Sequence, residues 1–153
     1  MASVIGEIKE ELVKVKANLY VIQPYGLAGN TGVFISDGGV ILIDDQWAML
    51  AERIKELLAT ITDKEIKTII NTYDHVDHTH GNLFFGKENI PIISQENAFE
   101  RMSERQVILP FLNGVQEAYP KEARTSMTFL RKFVLHEKKK TIELIHLRNA
   151  YRW

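Results

Sequence analysis

The chain has 153 residues, 45% of them hydrophobic and 25% charged, with a formal net charge of −1. That is enough for one domain with a real core, read here as a single unit over 1–153. The near-zero charge provides no basic field for nucleic acid or an anionic membrane surface. Without any cysteine, disulfides, thiolate ligands and thiol nucleophiles are excluded, so a bound metal must rely on His, Asp, Glu and water.

The N-terminal "MASVIGEIKEELVKVK" mixes acids with lysines and has no apolar run of signal-peptide type, and no later stretch approaches a membrane span. The expected location is cytoplasmic. "ELVKVKANLYVIQ" and "TGVFISDGGVILID" alternate apolar and polar residues and predict antiparallel strands, with a hairpin turn near Asp37 to Gly39. In "QWAMLAERIKELLATI", Met49, Leu50, Ile54, Leu57, Leu58 and Ile61 recur at helical steps, predicting one buried stripe. A strand "IKTII" then delivers the loop "NTYDHVDHTHGN", before a short helix or turn and a further strand "IPIIS".

Ser94 is the expected N-cap of another helix over "SQENAFERMSERQ". The stretch "VILPFLNGVQEAYPKEARTS", with two prolines and little periodicity, predicts a long surface connection. "FVLHEKKKTIELIHL" predicts two strands joined at the lysine run, which reads as a solvated turn. The order of elements makes the fold class α/β or α+β.

The 71–82 loop concentrates His75, Asp77, His78 and His80, with Asp74 beside them. Imidazoles with a carboxylate suit zinc, iron or manganese. One arrangement open to these residues places His75, His78 and His80 around a single metal. Asp77, as ligand or orienter, is the residue assigned to catalysis. Asp44 and Asp45 close "VILIDD"; an N-cap role for Asp45 is an equal alternative to a supporting role at the loop. His136 and His146 read as sheet residues, Trp47 as a core or rim aromatic that could wall a cleft. "GLAGN" lacks phosphate-loop spacing and is set aside.

The loop resembles the His-x-His-x-Asp-His signature of the metallo-β-lactamase superfamily. "GNTGVFISDGGVILIDDQW", "TDKEIKTIINT" and "TIELIHLRNAY" are similar to segments of that family's N-terminal half. The resemblance implies half of a four-layer αββα sandwich, a mixed β-sheet with helices on one face. It also implies a zinc-bound hydroxide that cleaves an ester, lactone, β-lactam or thioester of a small-molecule substrate. His75, Asp77 and His78 match the signature, whereas its first histidine falls on Tyr73 and a later ligand on Tyr151. The chain stops at Trp153, before the family's bridging carboxylate and final histidine. A phenol, with a pKa near 10, is a poor zinc ligand at neutral pH.

Two functional classes stay open: a shortened metal-dependent hydrolase, or a non-catalytic half-domain or pseudoenzyme that dimerises and binds metal weakly or not at all. A half-sandwich leaves one sheet face without its usual cover, so a two-fold homodimer is the expected assembly.

Overall fold

A computed structural model describes residues 9–26, 28–109 and 114–147. Its main element is a seven-stranded mixed sheet in the order β1-β2-β3-β4-β5-β6-β9. Strands β1 (Glu10–Lys16), β2 (Leu19–Pro24), β3 (Thr31–Ile35) and β4 (Val40–Ile43) form an antiparallel meander. The turn between β3 and β4 closes at Asp37 to Gly39 as the Asp-Gly-Gly sequence predicts. The Ser36 amide donates to the Gly39 carbonyl at 2.9 Å, and Gly39 adopts φ 147°, where only glycine is unstrained.

From β4 the chain passes through a short 3-10 turn, Ala48–Leu50, into helix α1 (Ala51–Ala59) and returns as β5 (Ile66–Asn71), parallel to β4. This is a β-α-β crossover, and the site loop leaves the C-terminal end of its second strand. Helix α1 buries Ile54, Leu57 and Leu58 as the stripe requires, but Met49 lies before the helix and is exposed. The loop supplies two single-turn helices, α2 (Val76–Thr79) and α3 (Asn82–Phe85), and the chain re-enters the sheet as β6 (Ile92–Gln95).

Helix α4 (Glu96–Met102) begins one residue later than expected: Gln95 is its cap, accepting from the Asn97 amide at 2.7 Å. Ser94 instead lies buried in β6, its hydroxyl 2.7 Å from that of Thr125. The expected long connection carries real structure. It contains the two-stranded ribbon β7 (Gln106–Leu109) with β8 (Gly114–Gln116), a 3-10 turn at Lys121–Ala123, and β9 (Met127–Phe129), a parallel edge strand beside β6.

Two cores flank the sheet. On the helix side, Ile22, Val33, Val40, Leu42, Ile69 and Ile92 pack against Ile54, Leu57, Leu58 and Phe85. On the other side, Ile41, Ile70 and Ile93 meet Phe133, Leu135, Ile142 and Leu144. Those last four side chains come from the hairpin of β10 (Lys132–Glu137) and β11 (Lys140–Ile145), which turns at the lysine run as predicted. Successive residues of a strand point to opposite faces, so adjacent Ile41 and Leu42 serve different cores. The face that the sequence reading leaves bare is thus covered in part by the chain's own last hairpin. Among the described residues, no helix is long and apolar enough to cross a membrane.

Candidate metal centre

The site is built where β4 and β5 end side by side. Asp44 takes a left-handed backbone, φ 61°, which turns its carboxylate toward the end of β5. Aspartate tolerates that region better than most residues. The Asp44 amide continues the ladder by donating to Ile70 at 2.8 Å, and the Asp45 amide donates to the His78 carbonyl at 2.9 Å. The Asp44 carboxylate then accepts from the Thr72 amide at 2.7 Å and the Thr72 hydroxyl at 2.6 Å. Its Oδ2 also lies 2.8 Å from His78 Nδ1. One buried carboxylate therefore fixes both the strand exit and the His78 ring, the supporting role expected for it.

With Nδ1 engaged, His78 presents Nε2 toward Asp77, 3.4 Å from its Oδ2. The hydrogen bond to Asp44 holds the His78 pKa above its ordinary value of 6.5. Burial opposes the rise, while the Asp44, Asp77 and Asp74 charges add to it. Gly29 lies against this pair: its amide donates to the Asp77 carbonyl at 3.1 Å, and a Cβ there would stand 3.0 Å from His78 Cε1. Gly29, within the "GLAGN" segment, thus backs the loop.

Asp45 is fully buried. Burial first, and the neighbouring Asp44 charge second, push its carboxyl well above the ordinary range. It makes no N-cap to the helix that follows, whose capping position is Trp47 at the 3-10 turn. Gly81 packs so closely that a Cβ would overlap the Asp45 carbonyl, which fixes glycine at that position.

The remaining candidates are dispersed. His75 Nε2 is 3.1 Å from the Tyr73 hydroxyl, with the rings 4.2 Å apart. Asp74 pairs outward with Arg101 at 3.2 Å. His80 faces the other way: its Nδ1 accepts from the Ala48 amide at 3.1 Å, and its ring lies 5.4 Å from that of Trp47. It satisfies an amide at the start of the 3-10 turn that no capping side chain reaches. Burial lowers the His80 pKa, in keeping with a neutral, accepting ring. The expected gathering of His75, Asp77, His78 and His80 around one metal is therefore not formed. Among the described residues, no three His, Asp or Glu side chains are grouped as a metal ion requires. Tyr151 lies outside the described residues.

Sequence reasoning missed Tyr119, whose hydroxyl meets that of Thr79 at 3.0 Å, while Thr79 also bonds the His75 carbonyl at 3.0 Å. Tyr119 comes from a distant segment with no motif to mark it. It also lines, with Trp47, His80, Leu83 and Val115, a groove of about 470 Å³ beside the loop. Trp47 does wall a cleft, on the His80 side.

No family model matches the sequence and no curated protein is significantly similar to it. Solved structures do match in fold. A metallo-β-lactamase from Pontibacter korlensis superposes with TM-score 0.69 at 15% identity over 88% of this chain and 59% of that one. BJP-1, a subclass B3 metallo-β-lactamase of Bradyrhizobium japonicum, gives 0.69 at 21% identity over 86% and 49%. The DIM-1 metallo-β-lactamase gives 0.64 at 18% identity over 84% and 56%. The chain has the metallo-β-lactamase fold, in the α/β class, and spans about half the length of these structures. At the site, the described donors do not fit a complete zinc centre: Asp77 and His78 face one another, but His75 meets a phenol and His80 is turned away.

The Asp44–His78 pair makes a prediction for Asp44→Asn. The His78 pKa, followed by NMR, falls in the variant, because the hydrogen bond and charge of Asp44 are lost while burial remains. A raised histidine pKa contributes stability that is complete below 6.5 and is lost as pH rises through the folded value. The substitution therefore costs about 1–3 kcal/mol in acid and less on the alkaline side of the folded pKa, measured by chemical denaturation.

Proposed function

We propose that this chain is a metallo-hydrolase-type half-sandwich whose own donors do not sustain zinc-hydroxide hydrolysis. On this reading it holds a single divalent ion weakly, through Asp77 and His78. The observation that carries it is the Tyr73 hydroxyl 3.1 Å from His75 Nε2, where the resemblance puts the first histidine ligand. A catalytic zinc needs about three protein ligands and an open position for water. The metal's charge brings the pKa of that water toward 7. Two donors from one loop leave zinc mostly hydrated and its water too weakly acidic. Zinc-dependent cleavage of an ester, lactone, thioester or β-lactam by the chain alone is not supported, and further donors would have to reach the loop from outside the described residues.

Supplying zinc to metal-free protein tests this. Calorimetry is expected to give weak binding and no turnover of chromogenic ester, lactone, thioester or β-lactam substrates. Tyr73→His is expected to tighten zinc binding by about tenfold or more, roughly 1.4 kcal/mol. Chelator-sensitive turnover in the unaltered chain, abolished by His78→Ala, would contradict the proposal.

A second observation bears on assembly. Leu130, Ile145 and Leu147 are 66%, 57% and 68% exposed. They lie together at the open end of the last hairpin, where Ile145 is paired with Lys132 and the His146 amide donates to Arg131. Among the described residues, β10 and β11 pair only with each other. An antiparallel edge can meet its own copy across a two-fold axis, so a second copy is proposed to cover this stripe. The mass in solution is expected to be that of a dimer, reverting to a monomer in Ile145→Lys/Leu147→Lys; a monomeric parent chain at high concentration would reject it.

A further inference from the structure

The free edge of the main sheet carries its own complement. Strand β1 stands at one end of the strand order and, among the described residues, pairs only with β2. The Lys9 carbonyl accepts from the Tyr25 amide at 2.8 Å, so the backbone groups of residue 9 face β2. Alternation along a strand gives Glu11 and Val13 the same direction and sends the amides and carbonyls of Glu10, Leu12 and Lys14 outward. Pro24, opposite Glu10, has no N–H to give and agrees with this phase. The register shifts between Lys14 and Lys16, which ends the regular edge at Lys14.

The side chains of this edge run in a fixed order. Glu10, Leu12 and Lys14 share one face as acid, apolar residue and base, and Leu12 packs against the helix-side core. An antiparallel strand laid beside them needs an acid opposite Lys14, an apolar residue opposite Leu12 and a base opposite Glu10. Taken from its own N-terminus, that complement is again acid, apolar residue and base at alternate positions, which is the sequence of β1 itself. Both Glu10 carboxylate oxygens are buried without a hydrogen-bond partner, a cost that the matching lysine relieves. Lysine and a bulge ordinarily protect an edge from neighbours. Here the antiparallel order sets Lys14 against an acid, so the protection does not act against a second copy.

We propose that β1 pairs antiparallel with β1 of a second copy about a two-fold axis at Leu12. In that register Glu10 lies opposite Lys14 of the partner subunit, twice by symmetry, Leu12 meets its own equivalent and Glu11 stands opposite the partner's Val13. Backbone hydrogen bonds supply the affinity, as in strand addition generally, and the two ion pairs fix the direction. With only Glu10 to Lys14 engaged on each side, the contact belongs to the weak end of protein interfaces. It is separate from the stripe of Leu130, Ile145 and Leu147 and adds a second two-fold contact, so copies joined at the hairpin associate further through β1 as concentration rises.

A disulfide trap reads the register. The chain has no cysteine of its own, and Glu11 and Val13 are exposed, so substituting either leaves the core intact. Full-length Glu11→Cys and Val13→Cys chains are mixed at high concentration in a glutathione redox buffer. Facing residues of a non-hydrogen-bonded pair have Cα atoms about 4.5 Å apart, within disulfide reach, whereas diagonal neighbours stand farther off. The mixed disulfide is therefore expected to form about tenfold faster than either homodisulfide. Lys14→Glu in both chains sets acid against acid and is expected to slow the mixed product about tenfold. Equal rates for the three disulfides, or a rate unmoved by Lys14→Glu, would overturn the pairing. The trap is expected to survive Ile145→Lys/Leu147→Lys, so failure of the hairpin contact and failure of the β1 contact are told apart.

Discussion

The Asp44 carboxylate is the constraint on which the site depends. It accepts two hydrogen bonds from Thr72 and lies 2.8 Å from His78 Nδ1, so three groups on the β5 exit are held by one side chain on the β4 exit. Its side chain is only 7% exposed. At that burial, each bond withheld from water would leave a group costly to strand. The same residue sits in the left-handed region, so backbone strain at the end of β4 is balanced by this network. Asp45, next along, adds the backbone bond to the His78 carbonyl. The two aspartates thus clamp the loop from its side-chain and main-chain sides.

From this clamp follows the contrast between support and ligands. The supporting parts are in place: Asp44 orients His78, Gly29 backs it, Gly81 allows the close approach to Asp45, and Thr79 with Tyr119 pins the turn. Orienting the far nitrogen of a histidine through a carboxylate is how metal-binding imidazoles are usually tuned. Where the resemblance puts the first histidine ligand, the chain has Tyr73, whose hydroxyl lies 3.1 Å from His75 Nε2.

Much of the fold was legible because alternation and helical spacing are local signals. The β3–β4 hairpin follows from Asp-Gly-Gly, and α1 from Ile54, Leu57 and Leu58. What was hidden depends on distant partners. β9 is three residues long and becomes a strand only because β6 offers a parallel edge. Ser94 looks like a cap, but its place in the sheet core, bonded to Thr125, leaves Gln95 to cap α4. Coverage of the second sheet face also escaped sequence reading, since Phe133, Leu135, Ile142 and Leu144 show periodicity but not the surface they meet.

At the site, residue type was legible and direction was not. His78 and His80 are two positions apart in a helical turn, and residues so spaced do not face each other. That rule was available from spacing once the segment is taken as helical, and it sends His80 to the Ala48 amide. The central claim is that one loop holds two of its three histidines, His78 and His80, in opposite tautomers. His78 carries its proton on Nδ1 toward Asp44, and His80 carries it on Nε2 while Nδ1 accepts. A long-range proton–nitrogen NMR spectrum of metal-free protein, recorded above the folded His78 pKa, reads this directly. Protonated Nδ1 on His78 together with protonated Nε2 on His80 is the expected result; the same tautomer on both rings would contradict the account.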